Sequence, residues 1–330
     1  MVAAVERMVR SGRKGTVERA MASTFRHFTV EGLADGVWAV LHRIDPPAPD
    51  AWAISNAGIV DLGDRTLVFD ALMTTAAAVE LREAAEELTG RPPSIVVYSH
   101  AHNDHVWGGS RFPEAIVVSS TRARTALLVE GPGEVESYRD AVADRLAFWE
   151  AAATSDDPLV RHDAPMFLPY WHGIAATVPT LELRIPDLAF ERRLDIHGRH
   201  RRVGLVALER AHTTGDVLLI LPDERVAFCG DLLFVDCHPY LGDGDIEGLR
   251  DSLRMLEVSG AERFVPGHGS IGRKAAIQTL EQYVREVERT AARTGKAAPP
   301  IPGPYRAWAA AGFFAENVEF VAGGGRQAEA

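Results

Sequence analysis

The stretch "SHAHNDHVWGG", residues 99–109, places His100, His102, Asp104 and His105 side by side directly after the apolar run "SIVVY". Three imidazoles and a carboxylate this close are costly to fold together unless something shares their lone pairs, and metal ions do. His100 and His102 alternate by two, so an extended backbone points both rings to one side, where they can hold one ion together. Asp104 and His105 are adjacent. A loop turning into a helix that begins near Val106 aims both at a neighbouring ion, with Gly108 and Gly109 permitting close packing. A nitrogen and oxygen donor set without sulfur suits zinc, and also accommodates iron or manganese. Further candidates follow: His212 in "AHTTGD", Asp231 in "FCGDLLF" and His268 in "VPGHG". Taken singly, each could be a turn cap or a surface group. Taken with the dense cluster, they are candidates to share in it.

Positioning such groups requires rigid elements, and the chain supplies the same order of elements twice. After a strand at "GVWAVL", the segment "ISNAGIVDLGDRTLVFD" reads as a hairpin turning at Gly63 and Asp64 and ending at Asp70. A helix from a Thr cap to Gly90 and a buried strand ending at His100 follow. In the second half, "DVLLILPDERVAFCGD" reads as a hairpin turning at Pro222 to Glu224 and ending at Asp231. The helix "DIEGLRDSLRMLEVSG", with Leu249, Leu253 and Leu256 on one face, then leads to a strand ending at His268. Two such units predict an α/β fold in which two sheets pack face to face and their ligand-bearing edges converge.

The sequence divides into an N-terminal extension at 1–29, a domain at 30–321 interrupted by an insertion at about 125–200, and a small-residue tail at 322–330 expected to be disordered. Within the insertion, residues from about 131 to 155 read as helix. The aromatic stretch "PMFLPYWHG" and strand-like segments come next. A helix near 274 to 294, the Pro-rich "AAPPIPGP" and a short amphipathic stretch close the domain. Phe167, Tyr170 and Trp171 are candidates to line a substrate pocket or form a lid, with core packing or a homodimer contact as the competing uses.

Composition narrows the function classes. A formal charge of -11 over 330 residues disfavours nucleic acid as a partner. Two cysteines offer no disulfide framework and suit a reducing cytoplasm, with both as core thiols. No apolar run reaches the roughly 18–20 residues that span a bilayer, so neither membrane insertion nor a signal peptide is expected. The basic N-terminal residues Arg7, Arg10, Arg13 and Lys14 read as a frayed or edge-packed helix, with a recruitment arm as the alternative.

The pattern His-X-His-X-Asp-His, with Asp70, His212, Asp231 and His268 in order behind and ahead of it, resembles the metallo-β-lactamase superfamily from about residue 30 to about 270. The resemblance implies a four-layer αβ/βα sandwich with a central helical insertion and C-terminal helices. It also implies two zinc ions, one held by His100, His102 and His212, the other by Asp104, His105 and His268, with Asp231 bridging them. Asp70 would sit beside the site and orient its loop, and Asp216 is either a similar support or a turn cap. His238 and Tyr240, in "VDCHPYLGD", are candidate substrate contacts, and Asp104 and His238 candidate proton donors. Zinc β-lactamases of this fold often carry Cys or Ser where Asp231 stands, whereas thioesterases like glyoxalase II and the lactonases carry Asp. The expectation is therefore a dinuclear zinc hydrolase of a small carboxylic ester, thioester or lactone, with Asp104 and Asp231 as its catalytic carboxylates. Two alternatives compete: a mononuclear iron dioxygenase of the same fold, against which Asp104, His105 and His268 argue, and a metal-free binding protein, against which the full ligand set argues. The remaining histidines, His27, His42, His162, His172, His197 and His200, show no ligand spacing.

Overall fold

The computed structural model describes residues 23–43, 52–294 and 299–326. The basic N-terminal stretch and the last four residues lie outside these. In chain order the described elements begin with β1 (Ser23–Thr24), β2 (Phe28–Ala34), β3 (Val37–His42), β4 (Ala57–Asp61), β5 (Thr66–Phe69), α1 (Thr75–Thr89), β6 (Pro93–Val97), α2 (Asn103–Val106), β7 (Ile116–Ser120), α3 (Thr121–Val129), α4 (Gly131–Ala152) and α5 (Pro158–Thr177). They continue with β8 (Leu188–Phe190), β9 (Arg193–His197), β10 (Arg202–Leu208), β11 (Asp216–Leu221), β12 (Val226–Phe234), α6 (Ile246–Val258), β13 (Arg263–His268), α7 (Lys274–Thr294) and α8 (Phe313–Ala322). Strands β1 to β8 form one sheet in chain order, and β13-β12-β11-β10-β9 form the other.

The layers follow from side-chain alternation along the strands. In β5, Leu67 and Phe69 enter the core between the sheets while Val68 faces the helices outside; in β6, Ile95 and Val97 point inward and Val96 outward. The second sheet does the same: Val217 and Leu219 of β11 face inward, while Leu218 joins Leu253, Val284 and Phe314 beneath α6, α7 and α8. Phe69 and Phe228 meet across the inner core, ring centroids 5.9 Å apart. Because the central strands bury both faces, the result is helix, sheet, sheet, helix, the four-layer sandwich expected from the sequence.

The repeated unit is present in both halves. β4 and β5 pair antiparallel and α1 crosses to the parallel β6; β11 and β12 pair antiparallel and α6 crosses to the parallel β13. Local chemistry sets the ends of α1: Thr74 accepts from Ala77 N–H, and Gly90 stops the helix at φ 74°. Asp245 caps α6 by accepting from Gly248 N–H.

Several boundaries differ from the sequence expectation. β6 stops at Val97, so His100 stands on the loop beyond it, and α2 begins at Asn103 instead of near Val106. Asp231 lies within β12, at a register irregularity flanking Gly230, and does not end the strand. "PMFLPYWHG" belongs to α5, which continues through Pro165 and Pro169; two prolines mask the helical period because each removes an N–H from the ladder. The insertion is not wholly separate, since β8 extends the first sheet and β9 the second. Residues 23–29, assigned to the extension, start the first sheet as β1 and β2. The tail is not loose as far as Arg326: Ile246 N–H donates to Gly325 O at 3.0 Å, and Arg326 Nε lies 2.5 Å from Asp245 Oδ2.

Candidate metal centre

Loops at one end of the two sheets bring together residues from across the chain. After β6 the backbone runs through Ser99 and His100 and turns into α2, which carries Asp104 and His105. Gly108 behind it must be small, since a Cβ there would lie 2.1 Å from Ala71 O. From the other sheet, β12 contributes Asp231 and β13 ends on His268, while His212 comes from the turn before β11. Gly267 leaves room for the Asp231 carboxylate: a Cβ at that position would stand 1.7 Å from Asp231 Oδ1.

The donor atoms fall into two groups, His100, His102, His212 and Asp231 on one side and Asp104, His105 and His268 on the other, with the atoms of each group within 4.8 Å of one another. Asp231 touches both groups. Its Oδ2 lies 3.3 Å from His212 Nε2 and 3.5 Å from His268 Nε2, and its Oδ1 lies 3.2 Å from His105 Nε2. His268 Nε2 is also 3.2 Å from Asp104 Oδ2. The tertiary fold thus gathers all seven residues that the sequence singled out as ligands.

Surrounding groups orient the rings. Asp70, whose backbone is left-handed at φ 63°, accepts from Ser99 N–H at 2.6 Å and from His105 Nδ1–H at 2.8 Å. His105 therefore directs its Nε2 into the site. Ser99 Oγ pairs with His100 Nδ1 at 2.9 Å, which directs His100 Nε2 inward in the same way. His102 is turned the other way: its Nε2–H donates to Asp243 Oδ2 at 3.0 Å, leaving Nδ1 to face His212 Nε2 at 3.1 Å.

Buried polar atoms normally find partners, and several here do not. His100 Nε2, His105 Nε2 and Asp231 Oδ1 are all buried without a hydrogen bond. His105 Nε2 and Asp231 Oδ1 are close but not aligned to bond each other. Each such group costs about 1–3 kcal/mol if nothing engages it. Lone pairs aimed at common points and left unsatisfied fit divalent cations, so these residues could hold metal ions.

Electrostatics agree with that reading. Burial pulls His100 well down and His212 to about 3, so both present neutral nitrogen. Desolvation opposes charge on His268 too, but Asp231 and Asp104 override it and push His268 up to about 9. Asp104 is held down at about 2 against its own desolvation by His105 and His268, and Asp231 lies well below the usual carboxylate range for a similar reason. Without ions, imidazolium protons thus balance the two carboxylates.

The other predicted residues take varied positions. Asp216 is a turn cap, accepting from Thr213 N–H and Thr213 Oγ1–H. His238 borders the cavity beside the ligand cluster, as expected, but it is 0% exposed and its ring is fully engaged, Nε2–H on Tyr305 O and Nδ1 on the Tyr283 hydroxyl, so it is no free proton donor. Tyr240, Tyr170 and Trp171 line a cavity of about 590 Å³ that opens onto the ligand cluster. Cys229 and Cys237 are buried, and burial raises both thiols far above their ordinary value.

Four contributors escaped the sequence reading. Asp243 fixes His102, and its signal was a second carboxylate in "LGDGD". Asn103, inside the motif itself, donates from Nδ2 to Tyr170 Oη at 2.9 Å. Glu134 of α4 reaches the cavity, where burial raises it to about 7. His42, set aside for lack of ligand spacing, accepts from Gly269 N–H at 3.1 Å and steadies the loop after His268.

Comparisons with known proteins agree with this architecture. The family profile of the metallo-beta-lactamase superfamily matches residues 50–268. A metallo-beta-lactamase from Pontibacter korlensis superposes with a TM-score of 0.55 at 14% identity, over 78% of this chain and 99% of that one. A metallo beta lactamase from Erythrobacter litoralis, solved with beta mercaptoethanol in its active site, gives 0.54 at 16% identity, over 81% and 100%. No curated protein sequence matches the chain. At such identities the neighbours speak to the fold alone, but the profile spans most of the sequence and every donor residue of the cluster: the chain belongs to the metallo-beta-lactamase superfamily.

Proposed function

We propose that the protein is a dinuclear zinc hydrolase acting on a carboxylic ester, thioester or lactone. The observation that carries this reading is Asp231 set between two groups of imidazole and carboxylate donors, its Oδ1 buried and unpaired. His100, His102 and His212 would hold one ion, Asp104, His105 and His268 the other, and Asp231 both. When bound, a pair of divalent ions supplies Lewis acidity and brings the pKa of water toward neutrality.

The chain's own residues do the positioning. Asp70 and Ser99 lock the tautomers of His105 and His100, and Asp243 locks His102, so that three donor nitrogens are aimed before any ion arrives. Asp104 stays ionised beside His268 and is placed to take up the proton that the attacking water releases and to return it to the leaving group. Apolar side chains of α5 and α8, among them Met166, Phe167, Trp171 and Phe313, line the cavity beside these groups.

Metal analysis with a parallel activity panel tests the reading. About two zinc ions per chain and turnover of neutral esters, thioesters or lactones are expected; a single iron with no hydrolysis would replace it with the dioxygenase. His102→Ala and Asp231→Ala should each reduce hydrolysis to background in chains that remain folded by circular dichroism. Full activity in either variant defeats the assignment.

A further inference from the structure

We propose that the substrate carries a bulky, neutral, apolar group, seated along a wall of aromatic rings that runs from the metal ligands to the surface; this rests on the hydrolase reading above. The wall is continuous. His102 and Tyr240 have ring centroids 6.3 Å apart, Tyr240 and Phe313 are 5.5 Å apart, and Phe313 and Phe167 are 5.6 Å apart. Phe167 then stacks on Trp149 at 4.8 Å, and Trp149 meets Phe148 at 5.1 Å, whose ring is 50% exposed at the outer end. These rings come from three separate places in the chain, the loop after β12, the α4 and α5 pair, and α8, and all of them line the one cavity. Its volume of about 590 Å³ is that of a site for a small organic molecule rather than for water alone.

Charge along the same cavity selects against anions. Glu134, Asp163, Asp243 and Glu316 line it, and Arg145 is the single Lys or Arg among the described lining residues. Asp163 is committed to Ala311 N–H and Gly312 N–H at the start of α8, and Asp243 to His102. Glu134 and Glu316 remain facing the space a substrate tail would fill; burial raises both, Glu134 to about 7, so their negative charge is fullest above that pH. A thioester whose thiol portion bears several carboxylates or phosphates would meet these carboxylates with little compensation, whereas an alkyl or aryl tail gains the burial of its surface.

The test uses the full-length zinc-loaded protein with p-nitrophenyl esters from acetate to octanoate, and with mono-p-nitrophenyl suberate, which matches octanoate in length but ends in a carboxylate. The value of kcat/KM should climb about threefold or more for each added methylene until the wall is filled, and the suberate should run at least about ten-fold below octanoate. Trp149→Ala should cost octanoate about ten-fold while leaving acetate nearly unchanged; should that chain fail to fold, Phe148→Asp at the exposed end serves, with the same selective loss. Flat kcat/KM across chain length, or equal rates for suberate and octanoate, overturns the proposal. Calorimetric titration with 2-decanone and acetone separates this from the chemistry. If no ester or lactone is hydrolysed, the hydrolase reading fails, yet tighter binding of 2-decanone that weakens in the Trp149 variant still supports the apolar site, and absence of that preference overturns it.

Discussion

His105 and His268 hold protons that a metal ion must displace. Asp231 and Asp104 push His268 up to about 9 despite burial, and His105 is raised well above its ordinary value by Asp104 and Asp231. At pH 7 both rings of the metal-free chain are therefore cationic. Zinc affinity should rise with pH up to about 9, by about ten-fold per pH unit for each proton displaced; competition with a chelator at pH 6, 7 and 8 measures this, and an affinity independent of pH would contradict it. The same shift has a consequence for folding. A His raised in the folded state adds stability that is complete below pH 6.5 and disappears as pH rises through about 9, so the metal-free chain should unfold more readily at pH 9 than at pH 6. Asp70 acts one step behind the proposed ligands. Asp70→Asn frees the His105 tautomer and should weaken metal binding by about 10- to 100-fold, read in the same competition assay.

At the scale of elements, the site depends on how firmly the two sheets are clamped together at their loop ends. Asn56, buried just before β4, is the clamp. Its N–H donates to Gly267 O at 2.8 Å, its Nδ2 to Pro266 O and Gly269 O at 2.9 Å, and its Oδ1 accepts from His42 N–H. One side chain of the first sheet thus fixes the backbone on both sides of His268. Asn56→Ala strands three backbone groups, one of them in the buried interior, and should lower stability by about 2–3 kcal/mol in urea titration. On the proposed dinuclear reading, it should also weaken metal binding on the His268 side before the His100 side. Equal stability to the parent chain would show that the sheets hold their register without it.

For the whole molecule, the C-terminal segments wrap back over the second sheet. α8 packs against α7 and supplies Phe313 to the cavity, and the backbone beyond it closes on the start of α6 through Gly325 and Arg326. Removing residues from Gly323 onward deletes the Ile246 N–H bond to Gly325 O, the turn bonds that Gly323, Gly324 and Gly325 donate to the end of α8, and the Arg326 pairs with Asp245 and Glu247. Stability should fall by about 1 kcal/mol, with turnover within about two-fold of the parent because none of the deleted residues lines the described cavity. A large loss of turnover in a stable truncated chain would place the tail in the catalytic machinery.

The ligand set and the repeated hairpin, helix and strand could be read from the sequence because their determinants are local. Alternation of period two fixes which face a strand buries, Thr74 and Gly90 mark the limits of α1, and His100 to His105 are close enough in the chain to be recognised as one cluster. Other features are set by contacts between distant positions and had no local signature. Asp243 reaches His102 from 141 positions away, Asn56 reaches Gly269 from 213, and α5 stays helical through Pro165 and Pro169 because its aromatic face packs against α4 and the first sheet. His238 looked available in its motif, yet burial among Tyr283, Tyr305 and Trp308 made it part of the core. Donor identity is a property of residue type and spacing, whereas the shape and charge of the cavity arise only when three remote segments meet, and that meeting is decided by packing.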